Sequence, residues 1–415
     1  MPATFSSDVS AIAKFIYVKP GSFEKQLTKD YPLLKMLRHE TGFATAEGMK
    51  IPIQRVGNQG FGITATLAAS HSTPVGLSQW LVPQKQAHQF VKVDNQVVRN
   101  ASAGSDATQL LDAVKLQTDS AANEIGREIS KMLHGSASGS RGTIATISIG
   151  ANTTFTMVDA SLIYEGMIIV LATTETGAIR SGGTTNVATV SKVDLATNTV
   201  TFTGQNFTTL FGTAAIGDHV FREGDAQNNA SAGNVFFGLK DWNPTGTVSA
   251  TAFCGVDRTL NRTKLAGTYY DGSQDTWKSV FIKAEARGEK ETGRLFEDGV
   301  WVLNPVDLAT YRVNLESTAR VVSKEAISKY EVGIKQLEIN GHTFMGDPHA
   351  QIGVARYIGK DAMALCTAGN GPQWGGDNPL IFDPKTGFHE GLMSVYGNIA
   401  SYDTSALCAV TLPTN

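Results

Sequence analysis

The chain has 415 residues, with 35 lysines and arginines against 38 aspartates and glutamates, so its formal net charge is −3. A hydrophobic fraction of 41% excludes a disordered chain, and the near-neutral charge argues against a protein whose main task is to grip nucleic acid. Three cysteines, none in a CxxC pair, exclude a disulfide framework and indicate a reducing compartment, while no signal-peptide pattern or apolar run of about 18 residues is visible.

The first 40 residues predict a thin N-terminal arm. Pro20-Gly21 separates a first, widely spaced set of apolar residues from a second set that follows a helical period. A segment this short cannot bury itself. We expect it either to lie on another surface or to pack, as an ordinary leading helix, on its own domain. The second set comprises Phe23, Leu27, Leu33, Leu34 and Leu37.

Residues 41 to 103 predict a long two-stranded projection. Two runs, Lys50 to Val56 and Gln89 to Val93, alternate in polarity as strands do. The section between them is polar, has no helix signal and is too long for a compact domain's loop unless it is functional. Because a lone hairpin is marginally stable, we expect it to need a partner surface. Candidate contact residues in this stretch are Arg55, Lys85, Lys92, Asp94 and Arg99.

The strongest predicted helix begins after Ser105 as its N-cap and stops at Gly135. Apolar residues recur at three- and four-residue steps from Leu110 to Leu133 and form one stripe. At about 29 residues the helix would extend for roughly 44 Å. The stripe is not a sustained heptad repeat and no second long helix is predicted to pair with it, which argues against a coiled coil.

The composition changes abruptly after this helix. From Gly139 to about Asp225 charged residues are sparse, threonine is frequent, and short β-type runs alternate with turn signals. The even spacing predicts a small antiparallel barrel or sandwich, inserted as a module. The predicted strands are Thr143 to Ile149, Met167 to Thr173, Asn186 to Val193, Thr199 to Phe202 and His219 to Glu223.

The rest of the chain mixes helix and strand signals, so the overall fold class is predicted to be α+β. An Asn-Pro helix start and an Asn-Gly hairpin turn are the clearest local signals. The predicted elements are a helix from Gln274 to Lys290, a strand from Gly299 to Leu303, a helix from Asn304 to about Arg320, a hairpin from Leu337 to Phe344, a strand from Ala364 to Cys366, and a last hairpin made of Met393 to Ala400 and Ala406 to Leu412.

No motif predicts catalysis. The sequence has no GxxxxGK[ST] loop, GxGxxG fingerprint, GxSxG elbow or HExxH helix. His342, Asp347 and His349 are close enough in sequence to bind a metal ion, but no fourth ligand is indicated. We interpret them as polar turn residues, expect no cofactor, and predict that the chain is not an enzyme.

A run of mixed charge from Arg287 to Arg294 marks a predicted helix end. One interpretation is a solvated helix end, where exposed ion pairs contribute little. The functional interpretation is a charged patch between subunits, with Arg287, Glu289 and Arg294 as candidate contact residues. The arm, the projection and the very long helix all expose surfaces that neighbouring copies can cover, so together they indicate an assembly subunit.

The order of these features resembles the major capsid proteins of tailed bacteriophages, which have the Hong Kong 97 phage capsid fold. Beyond the arm, projection and long helix, the similarity includes Asp257-Arg258-Thr259-Leu260 followed by Gly267, the strand and helix from Val300 to Tyr311, and the closing strands between Ser394 and Leu412. It covers nearly the whole chain except residues 140 to 224.

The resemblance implies a division of the chain into domains. The role of the inserted β-domain is not implied, because in some relatives an extra β-domain lies within the A-domain instead. The implied division is an N-terminal arm at 1–40, an extended E-loop at 41–103, the spine helix of the P-domain at 104–139, an inserted β-domain at 140–224, the continuation of the P-domain at 225–272, and an A-domain at 273–415 whose final strands return to the P-domain.

The resemblance also implies a function. The chain would be a homo-oligomer that forms the hexamers and pentamers of an icosahedral virion shell, assembled in the host cytoplasm, which encloses double-stranded DNA without sequence-specific binding and without membrane contact. The implied partners are a separate scaffolding protein, because no helical scaffolding segment is visible, a portal protein at one vertex, and a cement or decoration protein. Lysine–asparagine cross-links are not predicted.

Three alternatives remain open. An encapsulin-like cellular compartment would have the same fold, but such shells are usually shorter and lack a threonine-rich insertion. A β-rich virion component, such as a tail or fibre protein, is disfavoured by the long helix. A hydrolase with a β-sandwich binding module would need clustered acid, base or nucleophile residues, and no spacing in the sequence brings such residues together.

Overall fold

A computed structural model describes residues 31–41, 48–57, 60–95, 107–147, 153–181, 183, 186–203, 207–212, 214–226, 235–296, 298–316, 330–331, 334–339, 342–369, 373–374 and 380–413. The helices are α1 Pro32–Met36, α2 Ala65–Ser70, α3 Ala107–His134, α4 Phe207–Phe211, α5 Leu239–Trp242, α6 Arg262–Ala266, α7 Val280–Thr292 and α8 Pro305–Glu316, with short 3-10 turns at Arg258–Leu260 and Thr404–Ala406.

The strands are β1 Arg38–Glu40, β2 Met49–Val56, β3 Gly76–Val82, β4 Lys85–Asp94, β5 Ser140–Ile147, β6 Thr154–Met157, β7 Ile168–Ala172, β8 Ala188–Asp194, β9 Thr199–Phe202, β10 His219–Arg222, β11 Thr268–Asp271, β12 Val300–Leu303, β13 Tyr330–Glu331, β14 Ile334–Ile339, β15 His342–Gly346, β16 Val354–Ile358, β17 Met363–Thr367, β18 Gln373–Trp374, β19 Ile381–Asp383, β20 Phe388–Ser401 and β21 Leu407–Thr411. Across the described ranges they form a six-stranded sheet, a seven-stranded sheet, a closed barrel and the separate hairpin β2–β3.

The long helix α3 is confirmed and packs on the six-stranded sheet. At 28 residues it is about 42 Å long. Its apolar stripe, including Ile125, Ile129 and Leu133, shares one core with Met393 and Ile399 of the central strand β20. The sheet order is β1-β17-β20-β18, with β19 and β4 also paired to β20. The helix and the sheet therefore form two packed layers, which are stabilised by burial of apolar surface on both elements.

The predicted β module is a closed barrel of strand order β10-β5-β6-β9-β8-β7. Strand β6 was not among the predicted strands. A cluster of rings from Phe155, Phe202, Phe207 and Phe211, in stacked, tilted and edge-on pairs, fills the interior, with centroid distances of 5.2 to 6.0 Å. Closure leaves this small sheet without free edges, so the module has a core of its own.

The seven-stranded sheet contains most of the C-terminal region, in the order β11-β21-β16-β12-β15-β14-β13. Helix α7 packs on it through Phe281, whose ring lies 5.1 Å from Trp301 and 5.0 Å from Phe344. Gly293 ends this helix with a φ of 69°, a left-handed conformation that favours glycine. The mixture of helices and sheets confirms the predicted α+β class.

Two strand-pairing predictions are wrong. The run that contains β4 does not pair with β2. Strand β2 pairs with β3, which was not among the predicted strands, and β4 pairs with β20 over ten residues. The last two strands do not form a hairpin either, because β20 belongs to the six-stranded sheet and β21 to the seven-stranded sheet. Alternating polarity identified these segments as strands but could not choose their partners.

The end of the predicted arm packs on its own chain. Leu33 and Leu34 of α1 are fully buried in the core beneath α3, and β1 continues in parallel beside β17. For this part of the arm the alternative of a helix packed on its own domain is correct. Residues 1–30 lie outside the described residues. The domain boundaries implied by the resemblance stay a prediction.

Candidate subunit-contact surface

The hairpin of β2 and β3 is anchored at its base. Trp80 is buried there, with its ring 5.7 Å from Trp242 and 6.1 Å from Phe253. The Leu81 amide donates a hydrogen bond to the Cys254 carbonyl at 2.9 Å. These contacts fix the direction in which the hairpin leaves the body of the protein.

The far end of the hairpin is apolar and uncovered. We call the segment from Gly60 to Leu77 the hairpin tip. Phe61 and Ile63 are 94% and 95% exposed, and Leu77 is 73% exposed. Val56, Leu67 and Val75 are exposed as well. Scattered exposed apolar residues are normal on a protein surface, but a contiguous group of large ones marks an interaction site.

The tip is locally ordered in spite of its exposure. Helix α2 begins at Thr64, whose side chain accepts a hydrogen bond from the Leu67 amide at 3.3 Å. Gly62 lies against this helix, where a Cβ atom would come within 2.5 Å of the Ala68 backbone nitrogen. The helix was not predicted, because the six residues are too few to show a helical period. A structured apolar tip costs less entropy to bury than a loose loop.

The structure places the candidate contact residues of the 41–103 stretch on different elements. Arg55 is half-buried on β2, at a break in the β2–β3 register. Lys85, Lys92 and Asp94 lie on β4, which pairs with β20 of the same chain. Arg99 lies outside the described residues. Of the candidates that the structure describes, Arg55 alone is on the hairpin.

On the outer face of β4 and β20, polar side chains pair with one another across the two strands. Lys92 forms an ion pair with Glu390 at 2.9 Å, and the His88 Nδ1 atom lies 2.7 Å from the Ser394 hydroxyl. Burial lowers the pKa of Lys85, and the nearby Cys254 opposes that shift. The contact role suggested for Lys92 therefore competes with an intramolecular pair.

The charged run at the end of α7 has partners within the chain. Arg287 pairs with Glu291 at 2.8 Å, one helical turn away. Glu289 accepts a hydrogen bond from the Phe296 amide at 3.2 Å, and Arg294 pairs with Asp403. These contacts match a helix end that is organised by its own chain, and the role of Arg287, Glu289 and Arg294 between subunits stays a prediction.

The three residues considered as metal ligands have different partners. His342 lies 3.3 Å from Glu285, whereas the Nδ1 atom of His349 lies 2.9 Å from the hydroxyl of Ser130. Asp347 is fully buried and lies 3.2 Å from the Nε2 atom of His134. Over the residues that the structure describes, no group of three or more His, Cys, Asp or Glu side chains is arranged to hold a metal ion.

Sequence reasoning missed the role of Asp347 as a buried junction. Its Oδ2 atom also accepts the backbone amide of Leu33 at 3.3 Å, and its Oδ1 atom accepts that of His349 at 2.9 Å. Burial opposes ionisation, but His134 and the backbone amide of His349 lower the pKa of Asp347 well below its usual value. One carboxylate thus joins α1, α3 and the end of β15, across more than 200 residues of sequence.

A second buried set of charges joins the barrel to α3. We call Glu128, Lys131, Arg141 and Asp225 the barrel–helix ion network. Arg141 donates to Glu128 at 2.6 Å and to Asp225 at 3.0 Å, and Lys131 lies 3.6 Å from Glu128. Burial lowers the pKa of Lys131 to about 8, although Glu128 opposes that shift. The network fixes the barrel against the helix at a site where an unpaired charge would be costly.

Sequence comparison gives no family assignment: no protein-family model and no curated protein matches the chain. Comparison of structures does find similar folds. The cyanophage A-1(L) capsid asymmetric unit is 10% identical, with 93% of each chain covered and a TM-score of 0.52. The empty capsid of a GTA particle is 6% identical, with 93% of this chain and 97% of that chain covered and a TM-score of 0.46. The SrpI encapsulin of Synechococcus elongatus PCC 7942 is 9% identical, with 97% and 94% covered and a TM-score of 0.43.

The first of these likenesses establishes the fold. It extends over nearly the full length of both chains, so the layers described above are arranged as in a capsid protein. The chain has the Hong Kong 97-type capsid fold, as the sequence predicted. In the part of the chain that the structure describes, no helix combines the length and the apolar character needed to cross a membrane.

Proposed function

We propose that the chain is the major capsid protein of a tailed bacteriophage, which assembles as hexamers and pentamers into an icosahedral shell around double-stranded DNA. The observation that carries the proposal is the hairpin tip, which projects from a capsid-type fold with Phe61 and Ile63 almost fully exposed. A monomer gains nothing from presenting these side chains to water. A neighbouring copy that covers them gains about 1.5 to 3 kcal/mol for each one buried.

The proposed mechanism is mechanical rather than catalytic. The tip of one subunit reaches a neighbouring copy, and α3 stiffens the six-stranded sheet that supports the contact. The A-domain around the seven-stranded sheet meets its copies at the five- and sixfold axes. Identical contacts repeated by symmetry close the shell. In support of a structural role, the buried charged groups described above are engaged in joining elements of the fold to one another.

The near-neutral charge of the chain supports the proposed role as a shell around the genome. The formal charge of −3 per chain gives the shell little attraction for DNA, whereas a strongly basic wall repeated in many copies would bind the genome tightly. Contact with the DNA would therefore be weak and independent of sequence. A scaffolding protein, a portal protein at one vertex and a cement or decoration protein belong to the same proposal, as do a virion location and assembly in the host cytoplasm.

Electron microscopy of the full-length protein, expressed alone and with candidate scaffolding proteins, tests the proposal. We expect capsomers or closed shells with five- and sixfold vertices. A protein that stays monomeric and compact in every combination would contradict it. The contents of particles isolated from infected cells separate the main alternatives, because a virion shell holds DNA and an encapsulin-like compartment holds protein cargo.

A further inference from the structure

A cavity lies where the barrel, the end of α3 and the seven-stranded sheet meet, and we call it the junction cavity. Its volume of about 350 Å³ is within the range of small-molecule sites, which occur preferentially between domains. Its walls include Lys131 in the last turn of α3, Arg141 of β5, Lys240 of α5, and residues 349–352, which connect β15 to β16. Three parts of the fold thus enclose one space.

Two buried cations of this lining have donor capacity left over. Arg141 donates to Glu128 and Asp225, but its Nη1 atom is buried without a hydrogen-bond partner among the residues that the structure describes. The Lys131 Nζ atom donates to the Leu162 carbonyl at 3.1 Å, and its ion-pair partner Glu128 lies farther away at 3.6 Å. Because a buried donor without an acceptor is costly, a ligand that brings acceptor oxygens would be stabilised here.

The two acidic side chains of the lining already have partners. Glu175 forms an ion pair with Lys240 at 2.8 Å and accepts the Ser136 hydroxyl at 2.7 Å. Asp159 accepts the backbone amide of Ser161 at 2.9 Å. Three cationic side chains line the cavity against these two carboxylates, so the lining has a small excess of positive charge.

The end of α3 also faces the cavity and would by itself disfavour an anion, because a helix C-terminus carries partial negative charge. Two features offset this effect. Lys131 and His134 are basic residues of the last turn, and the backbone amide of Lys240 donates to the Gly135 carbonyl at 3.1 Å. The helix end is therefore compatible with a negatively charged ligand.

The rim of the cavity is apolar. Val158 of the barrel is 66% exposed, and Ile352 on the opposite side, between β15 and β16, is 49% exposed. Unsatisfied donors inside and large apolar side chains at the rim are suited to a molecule that has oxygen acceptors at one end and an apolar group at the other.

We propose that the junction cavity binds a small organic oxoanion, either a carboxylate or a phosphate monoester, that carries an apolar substituent. Its oxygens accept hydrogen bonds from Arg141 and Lys131, and its substituent lies between Val158 and Ile352. The ligand contacts the barrel and the body of the protein together, so it strengthens the attachment of the inserted barrel. This role goes beyond the proposed function.

Covalent labelling with pyridoxal phosphate, which carries a phosphate and an aldehyde on one ring, tests the position of the ligand. When the Lys131 amine attacks the aldehyde carbon, water leaves and an imine forms; borohydride then reduces the imine to a stable amine that peptide mass spectrometry identifies. Because burial lowers the pKa of Lys131 to about 8, its neutral amine is more abundant near that pH than the amine of a surface lysine.

We expect Lys131 to be labelled ahead of the exposed Lys192, and we expect inorganic phosphate to slow the labelling of Lys131 alone. Sodium chloride at the same ionic strength is the control and should slow neither. Equal labelling of the two lysines overturns the proposal. Labelling of Lys131 that phosphate does not slow overturns it as well, since the lysine would then be reactive without an anion site beside it.

Calorimetry on the full-length chain distinguishes the two ligand classes, with phenyl phosphate and hexanoate as probes. We expect at least one of them to bind, and Val158→Asp to weaken binding about tenfold, because it adds a negative charge at the rim. Leu295→Asp, at an apolar position that is 67% exposed and outside the lining, is the matched control and should bind normally. Both positions are exposed, so both variants should fold, as circular dichroism verifies.

Two calorimetric results overturn the proposal. Absence of binding by both probes means that the cavity holds water alone, and equal affinities of Val158→Asp and the unsubstituted chain mean that the probe binds elsewhere. Neither measurement involves shell formation, so either failure leaves the proposed function standing.

Discussion

The Nε2 atom of His134, in the last turn of the long helix α3, lies 3.2 Å from the Oδ2 atom of Asp347, which follows β15. Both side chains are buried, and the pair connects the helix to the seven-stranded sheet. Through the amide of Leu33 the same carboxylate also holds helix α1. One buried acid thus contacts three parts of the fold.

Removal of this acid should be costly. We expect Asp347→Ala to lower the free energy of unfolding by about 3 to 5 kcal/mol, because it leaves His134 and two backbone amides buried without their acceptor. Chemical denaturation measures the change. Glu291→Ala, which removes an exposed ion pair with Arg287, is the control and should change stability by less than about 1 kcal/mol. Similar losses in both variants would contradict the role assigned to Asp347.

The neighbouring His349 should make stability depend on pH. Burial lowers its pKa to about 4, even though Asp347 acts in the opposite direction, and His134 and Lys131 lower it further while Glu128 raises it. The unfolded chain takes up a proton near pH 6.5 and the folded chain only near pH 4. The stabilisation is therefore complete above pH 6.5 and is lost as the pH falls towards 4.

Denaturant midpoints measured from pH 8 to pH 4 test this dependence. We expect a decline below pH 6.5 that is weaker in His349→Gln, which retains a hydrogen-bonding side chain but cannot titrate in this range. The remaining slope in that variant reports the other acids and histidines. A wild-type profile that is flat between pH 6.5 and 4 would show that His349 is not held neutral by its surroundings.

The barrel–helix ion network should control how firmly the barrel is attached. Arg141→Met leaves Glu128 and Asp225 without their main cation, and we expect a loss of about 3 to 5 kcal/mol. Hydrogen exchange should accelerate first in β5 and β10, the strands beside the network. Lys192→Met on the exposed side of the barrel is the matched control. Unchanged exchange in Arg141→Met would mean that apolar contacts alone hold the barrel.

The hairpin tip should matter for assembly and not for folding. We expect the double substitution Phe61→Ser and Ile63→Ser to change monomer stability by no more than about 0.5 kcal/mol, because both side chains are already in water. The yield of capsomers or shells should fall strongly, as measured by sedimentation and electron microscopy. Leu195→Ser, an exposed apolar position on the barrel, is the control. Normal assembly of the tip variant would remove the main support for the proposed function.

The base of the hairpin should show the opposite pattern. Trp80 is buried against the rings of Trp242 and Phe253, and its replacement by alanine should cost about 3 to 5 kcal/mol through lost packing and a cavity. Thermal unfolding monitored by circular dichroism measures the loss. Leu77→Ala, farther along the same strand and exposed, should leave the unfolding temperature nearly unchanged. Equal effects at the two positions would mean that the hairpin is not anchored at its base.

The sequence by itself determined the longest local elements and their order, although it missed short ones such as α2 and β6. The apolar stripe of α3 follows the helical period closely enough to predict both its type and its length, and the regular turn signals between Gly139 and Asp225 identified a separate β module. The order of arm, projection, long helix and closing strands was sufficient for the resemblance to capsid proteins. These signals are local because they depend on residues a few positions apart.

Tertiary structure alone decided which distant segments meet. Strand β4 pairs with β20 rather than β2, and β21 leaves β20 for another sheet, because pairing depends on burial of both faces and not on polarity along one strand. Asp347 appeared as a turn residue, yet it meets His134 and Leu33 at separations that no sequence spacing reveals. The junction cavity arises in the same way, since the barrel, α3 and the seven-stranded sheet approach one another only when the chain has folded.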